Sequence, residues 1–399
     1  MIRTTPFHER TSALNETGLW SHWSGRLAAE KYQLSEKAEY VALRNAAGLF
    51  DTSPLFKYRF TGPGSEQFLA GVLARDPRPL APGEAQYTIW CDDRGFLVED
   101  GVLLRHAADE FVLTAAEPNL AYFSDLVGPR DSVTIEDVSD AWAVLSLQGP
   151  RSRSLLAGLD TGIETLGYFG HRAARIDGCD VHVSRTGFTG DLGYEVWCRA
   201  EDALTVWDAV WAAARGHGVV PFGLQALYMT RIEAGLLLLD VDFASSRFAW
   251  TDADRATPFE LGLGRMLRGL DGDRRFLGRD ALRRELAGKT SRFRTTGIVV
   301  DYRDWNRLHD EAGLIPPMDH TPVQEEMFLY DDAGTQVGFA TSFLYSPVLQ
   351  RHVGIARVPF ASSPAGSKVN LEVPINHRYV HVSAHTSRLP HYNPQRKTA

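Results

Sequence analysis

Two short strings place carboxylates where they can move protons or hydrogen-bond the edge of a ligand. In the first, Phe96-Leu97-Val98-Glu99-Asp100-Gly101-Val102, two acids sit side by side in an apolar run. As a hairpin, Asp100-Gly101 is a turn dipeptide. As one continuous strand, the string turns Asp100 toward an interior face, with Glu99 as the competing carboxylate. In the second, Gly187-Phe188-Thr189-Gly190-Asp191-Leu192-Gly193 leads into Glu195. Its glycines are spaced GxxGxxG, lack the tight GxG turn of a dinucleotide site and lie between strands, so the string reads as a turn. Glu195 taken alone is most often a solvated charge. Tyr87, in Ala85-Gln86-Tyr87-Thr88, reads as a half-buried strand tyrosine.

Other candidates carry less. His377, His381 and His385 form HxxxHxxxH, but their segment has strand character. Residues four apart on a strand lie ~13 Å apart, too far for one ion to bridge, and no metal site is expected. The three cysteines, Cys91, Cys179 and Cys198, match no zinc or CxxC spacing and read as reduced thiols. Only six lysines occur, and none lies in an apolar context that would depress its pKa, which speaks against Schiff-base chemistry. There is no Walker A loop, HExxH or GxSxG elbow.

The 399 residues carry a formal net charge of −8, so the surface does not attract nucleic acid or anionic lipid in general. A small-molecule partner is the expectation. No apolar run approaches the ~18 residues that span a bilayer. The opening MIRTTPFHERTS lacks the apolar core of a secretory signal, so a cytoplasmic protein is expected.

The elements alternate. Residues 18–48 read as helix, including Trp20 and Trp23, and Phe56 to Phe60 alternate as a strand. Residues 86–90, 95–105 and 111–115 read as an antiparallel meander with a turn at Asp92-Asp93-Arg94-Gly95. A second block repeats the logic: a strand over 141–148, a helix capped by Ser152 or Ser154, strands at 180–186 and 193–198, and a helix over 201–216. From about 290 the helices disappear and short strands between Gly, Pro and Asp turns indicate a small antiparallel barrel or sandwich. The tail from Ser387 reads as loosely ordered. The fold class is α+β. The expected divisions are 1–140 and 141–288 for two related α+β units, and 289–399 for the β module.

Several strings, in order, resemble the folate-binding aminomethyltransferase family, which includes the T-protein of the glycine cleavage system and folate-dependent demethylases. They are GEAQYT (83–88), GFLVEDGV (95–102), LQGP (147–150), SRTGFTGDLGYEV (184–196), GLQALYMTRIEAG (223–235), TPFELGLGRML (257–267), FLGRDAL (276–282) and VGFATSFLYSPVLQRHVGIARV (337–358). The ordered set spans about residues 40–360. The resemblance implies a three-domain cloverleaf around a central cavity that holds tetrahydrofolate.

It also implies roles. Glu195 occupies the slot of the family's pterin-binding glutamate, where one carboxylate accepts an amino group and an adjacent ring N–H together. Asp100 matches the aspartate near the reactive folate nitrogens and is the expected acid–base group. Tyr87 and Phe188 match pocket residues, Phe188 standing where many relatives have tyrosine. Arg231 resembles the family's R-[LI]-E arginine and suits a carboxylate of folate or substrate; an internal pair with Glu233 or another acid competes with that role. Trp20, Trp23 and Trp90 have the rings for an aromatic box around a cationic methyl donor, or for plain core.

Two departures touch substrate handling. Ala226-Leu227-Tyr228 stands where the T-protein usually has Ala-Arg-Asp, and Thr114-Ala115-Ala116 replaces its Val-Asn-Ala. The leading expectation is an enzyme moving a methyl or methylene group from a small N-, O- or S-methylated donor to tetrahydrofolate. The alternative is an aminomethyltransferase served by a lipoyl carrier protein. A folate-binding iron–sulfur assembly factor is disfavoured, because that group's K-G-C-Y-x-G-Q-E signature is missing.

Overall fold

The computed structural model describes residues 2–317 and 319–399. The meander forms where the alternating pattern puts it. Its strands are Glu84–Cys91, Leu97–Ala107 and Glu110–Ala115, extended by Phe56–Thr61 and Thr134–Asp137 into a five-stranded antiparallel sheet. Asp92 closes the first turn by accepting from the amides of Arg94 and Phe96, with Gly95 at positive φ. Asp100-Gly101 is not a turn. Leu97–Ala107 is one strand of 11 residues, and Gly101 lies inside it. A Cβ on Gly101 would fall 1.9 Å from the Thr114 carbonyl oxygen, so glycine lets the neighbouring strand press close.

The second sheet has six strands in the order His171–Ile176, Cys179–Ser184, Gly193–Arg199, Trp142–Gln148, Ala47–Asp51 and Val219–Pro221. Ala47–Asp51, from the N-terminal side of residue 140, thus belongs to this sheet and exchanges a strand between the two halves. Its neighbour Val219–Pro221 runs parallel to it. The third unit is a closed six-stranded barrel, Arg294–Val300, Arg351–Val358, Gln336–Ser346, Met327–Tyr330, Lys368–Ile375 and Arg378–Ser387. One apolar core joins all three units: Phe50, Ile89, Leu97, Phe222, Leu344 and Ile355 are buried in the same cluster. Among the described residues no helix is long and apolar enough to cross a membrane.

Local expectations fail where tertiary contacts decide. Residues 18–48 are not one helix. Trp20–Trp23 and Arg26–Ala29 pair as a hairpin, and the helix is confined to Glu36–Asn45. Gly18 and Gly25, both at positive φ, break the chain there. Neither Ser152 nor Ser154 caps the helix Ser152–Ala157; Ser152 is turned back to the Gly149 carbonyl. The β module does hold a helix, Tyr302–Glu311, capped by Asp301, whose side chain accepts from the amides of Arg303 and Asp304. The tail is tied down: Tyr392 donates its amide to the Glu233 carbonyl, and Arg396 pairs with Asp191 at 2.6 Å.

Candidate active site

A cavity of about 1400 Å³ is lined by both α+β halves. Tyr87, Asp100, Phe188 and Glu195 all line it, and so does Trp23. Tyr87 and Asp100 come from adjacent strands. Val102 faces Tyr87 and Ile89 faces Asp100, so Tyr87 and Asp100 are diagonal neighbours on one face. The Tyr87 hydroxyl donates to Asp100 Oδ2 at 2.6 Å. Burial lifts the Asp100 carboxyl to about 6, and the tyrosine hydrogen bond limits that rise. Burial, with the Asp100 charge beside it, pushes the Tyr87 phenol well up, so it remains a donor.

The choice between the two adjacent acids is made by strand alternation. Glu99 faces away from the cavity and is buried. It accepts from the amides of Ala116 and Glu117 and from the Asn119 side chain. Its task is to hold the chain that follows the strand Glu110–Ala115.

Glu195 lies on the strand Gly193–Arg199, opposite Ser146 and Ser184. Trp197 donates to Ser184 Oγ at 3.3 Å, Ser184 contacts the Thr186 hydroxyl at 2.7 Å, and Thr186 donates to Glu195 Oε2 at 2.5 Å. Among the described residues this is the carboxylate's hydrogen bond from a side chain, and its other oxygen has no protein donor. Burial raises the Glu195 pKa, opposed by Thr186 and by the charge of Lys57. The glycine-rich string packs on Gln148. A Cβ on Gly187 or Gly193 would sit 2.0 Å from Gln148 Oε1, while Gln148 Nε2 donates to Ser146 and to the Thr186 carbonyl. The glycines therefore set the turn that aims Thr186 at Glu195.

Three expected site residues lie elsewhere. Arg231 is fully buried and reaches no cavity; it pairs with Asp242 at 2.6 Å and donates to Ser342 of the barrel at 2.8 Å. Asp242 in turn accepts the Leu238 amide at 2.8 Å, so this network props the segment Leu236–Val241 that lines the cavity. Trp90 is wholly buried against Phe123, in the apolar cluster of Tyr58 and Phe60 on the opposite face of its sheet. Trp20, in the surface hairpin, packs its ring at a tilt against His8, centroids 4.9 Å apart. Only Trp23 of the three tryptophans reaches the cavity, so they form no aromatic box. His381 and His385 lie exposed on the barrel strand Arg378–Ser387 and His377 in the turn before it.

Lys57 overturns the expectation that no lysine is depressed. It is fully buried, lines the cavity, and donates to the carbonyls of Ser53 at 2.9 Å and Leu55 at 2.7 Å. Burial lowers its pKa to about 7, despite the attraction of Asp51 and Glu195. Local pattern gave no such signal: in Phe56–Thr61, Phe56, Tyr58 and Phe60 take the apolar face, and Lys57 takes the other, which alternation alone assigns to water. At Lys57 that face is closed over and lines the cavity, while Arg59 two residues on stays partly exposed. Arg75, Arg265 and Arg268 also line the cavity; burial lowers the Arg75 pKa, and the charges of Arg265 and Arg268 lower it further. Arg75 donates to the Tyr87 carbonyl at 2.8 Å.

Residues 8–269 match the family described as the GCVT N-terminal domain, and residues 312–393 match the glycine cleavage T-protein C-terminal barrel domain. The chain belongs to the aminomethyltransferase family of one-carbon group transferases. It is 32% identical to an aminomethyltransferase of Anoxybacillus flavithermus, with 85% of this chain and 86% of that protein covered. It is 32% identical to the heme-dependent oxidative N-demethylase gamma subunit of Ectopseudomonas mendocina, with 88% of each covered. It is 30% identical to the trimethylamine-oxide aldolase of Ruegeria pomeroyi over 99% of this chain, but spans only 48% of that longer protein. The glycine cleavage aminomethyltransferase T of Bartonella henselae superposes with a TM-score of 0.81 at 22% identity, covering 98% of this chain and 99% of that one, a likeness of fold.

Proposed function

We propose that the cavity binds tetrahydrofolate and that the protein moves a methyl or methylene group to it from a small N-, O- or S-methylated donor. The observation that carries this reading is one cavity with two different chemical poles. Glu195 and the Tyr87–Asp100 pair supply acceptors, while Arg75, Arg265 and Arg268 gather positive charge. Glu195, with one oxygen held by Thr186 and one free of protein donors, fits the paired N–H edge of a pterin. The arginines suit the carboxylates of a folate glutamate tail. Small-molecule pockets usually measure ~300–1000 Å³; the volume of about 1400 Å³ leaves room for a donor beside the cofactor. When bound, the folate supplies the nitrogen that accepts the carbon.

The chain's own groups do the remainder. Asp100, poised at about 6, can take or return a proton and stabilise developing positive charge on the donor. Phe188 and Trp23 give the cavity apolar walls that exclude water. Relatives named for trimethylamine oxide and for N-demethylation favour a methylated amine among the donor classes. A cytoplasmic site of action accords with three free cysteines, two of them buried.

A second reading, an aminomethyltransferase acting on a lipoyl carrier, is favoured by the relatives that bear that name. Tyr228 and Thr114–Ala116 speak against it, because these departures from the T-protein pattern line the cavity itself. Titration calorimetry with tetrahydrofolate tests the cofactor: Glu195→Ala weakens binding at least about tenfold, the scale of one lost charge-assisted hydrogen bond. Mass spectrometry of the folate product, after incubation with methylated amines, sulfonium compounds, aryl methyl ethers or an aminomethylated lipoyl carrier, tests the donor. Equal binding by wild type and Glu195→Ala overturns the pterin assignment.

A further inference from the structure

Three histidines meet at the seam between the two α+β halves, outside the cavity. His171 begins one strand of the second sheet, and His182 lies on its neighbour. Ser184 faces His171 and Ala173 faces His182, so the two rings are diagonal neighbours on the same face. His106 arrives from the first sheet, near the end of Leu97–Ala107. One ring nitrogen from each of the three lies within 4.8 Å of those of the other two. The ring centroids are 4.8 Å apart for His106–His171 and His106–His182, and 6.1 Å for His171–His182.

The hydrogen bonding defines which atoms are free. His171 Nε2 lies 3.0 Å from the Arg105 carbonyl, to which it donates, leaving the lone pair on Nδ1. That Nδ1 is buried without a hydrogen-bond partner, and so is Nδ1 of His182. His171 itself is 4% exposed. Buried polar atoms are rarely left unpaired, and two in one cluster of three rings call for an occupant.

We infer that His106, His171 and His182 form a site for one divalent transition-metal ion of the zinc class, which staples the two halves together. Three imidazole nitrogens are donors suited to zinc, copper, nickel and cobalt, and too few oxygens are present for calcium or magnesium. All three rings are held uncharged by burial, His106 down to about 3, so their lone pairs are available at neutral pH. A carbonyl on the far nitrogen of His171 is the arrangement that orients a metal-bound imidazole. At zinc–nitrogen distances of 2.0–2.1 Å, tetrahedral ligands stand about 3.3 Å apart. The half-buried rings of His106 and His182 close the gap by side-chain rotation. The fourth position falls to water, because the nearby Glu110 is held by Arg59 at 2.8 Å.

The position gives the ion a structural task. Around it the halves are joined by the His171 amide to the Gly83 carbonyl and the Ala85 amide to the Phe169 carbonyl, each 2.7 Å, and by the His171 ring to the Arg105 carbonyl at 3.0 Å. Ala85, Phe169 and Arg185 also line the cavity, so a clamp at this seam fixes part of its wall.

The test uses the full chain without an added histidine tag, stripped with a chelator. Titration with Co²⁺ yields the visible absorption of a four-coordinate site at one equivalent, and Zn²⁺ calorimetry gives the same stoichiometry. Zn²⁺ raises the thermal midpoint. His106→Gln and His182→Gln each weaken Zn²⁺ binding at least about tenfold, the loss that removing even an outer partner of a metal ligand brings, whereas His381→Gln on the barrel binds as wild type. Should either cluster variant fail to fold, ¹⁵N imidazole shifts of the wild type report whether three rings respond to Zn²⁺. The inference is overturned by absence of stoichiometric binding, by unchanged affinity in folded His106→Gln, or by shifts confined to other histidines.

Discussion

The Tyr87 hydroxyl donates to Asp100 at 2.6 Å, in a carboxyl already lifted by burial to about 6. At that value the group is roughly nine-tenths ionised at pH 7 and half ionised at pH 6. Tyr87→Phe removes a hydrogen bond that favours the anion. A hydrogen bond to a charged group is worth ~1.5–3 kcal/mol, but Asp100 is only half-buried and cavity water replaces part of it. A net loss of about 1.4 kcal/mol is one pKa unit, so the carboxyl moves to about 7. The shift is read twice, as the acid limb of kcat/KM for folate-product formation and as the ¹³C titration of the labelled carboxyl. The wild-type limb falls near 6 and the Tyr87→Phe limb near 7. Asp100→Asn lacks the limb, turns over ~10²-fold slower and still binds folate. A limb that stays in place or moves down in Tyr87→Phe, or wild-type turnover by Asp100→Asn, refutes the acid–base role.

Other outcomes separate placement from chemistry. Arg231→Ala strands a buried carboxylate at Asp242 and costs about 3–5 kcal/mol of stability in urea unfolding; an unaltered unfolding midpoint with lost folate affinity would instead place Arg231 on the ligand. Lys57 is neutral in the folded protein and charged in the unfolded chain between about pH 7 and 10, so the unfolded state binds the extra proton and stability rises with pH across that window. The slope is up to about 1.4 kcal/mol per pH unit, and Lys57→Met flattens it in thermal melts. Gly101→Ala forces the strand of Asp100 away from Thr114 and lowers both stability, by about 1–3 kcal/mol, and turnover; a crystal structure with an unmoved Asp100 would contradict this.

Much of the fold was legible because its signals are local. Alternating apolar residues marked the meander, and the change to short strands after residue 290 marked a β module, whose closure as a barrel came from the structure. The helix Tyr302–Glu311 escaped because its charged sequence buries only Trp305 and His309. Trp90 was separable from Tyr87 by parity alone: three residues apart on a strand, they must face opposite sides. The same rule, with the choice of buried face, separates Asp100 from Glu99.

By itself the sequence determined the order of strings, the meander around Asp100 and the turn that precedes Glu195, since backbone preference and side-chain alternation act within a few residues. Only the tertiary structure decided what lies opposite each face. It buried Lys57, turned Arg231 toward Asp242 and brought His106 to His171 and His182. These pairings join residues far apart in the chain, and desolvation depends on how the halves close on each other, which no local pattern encodes.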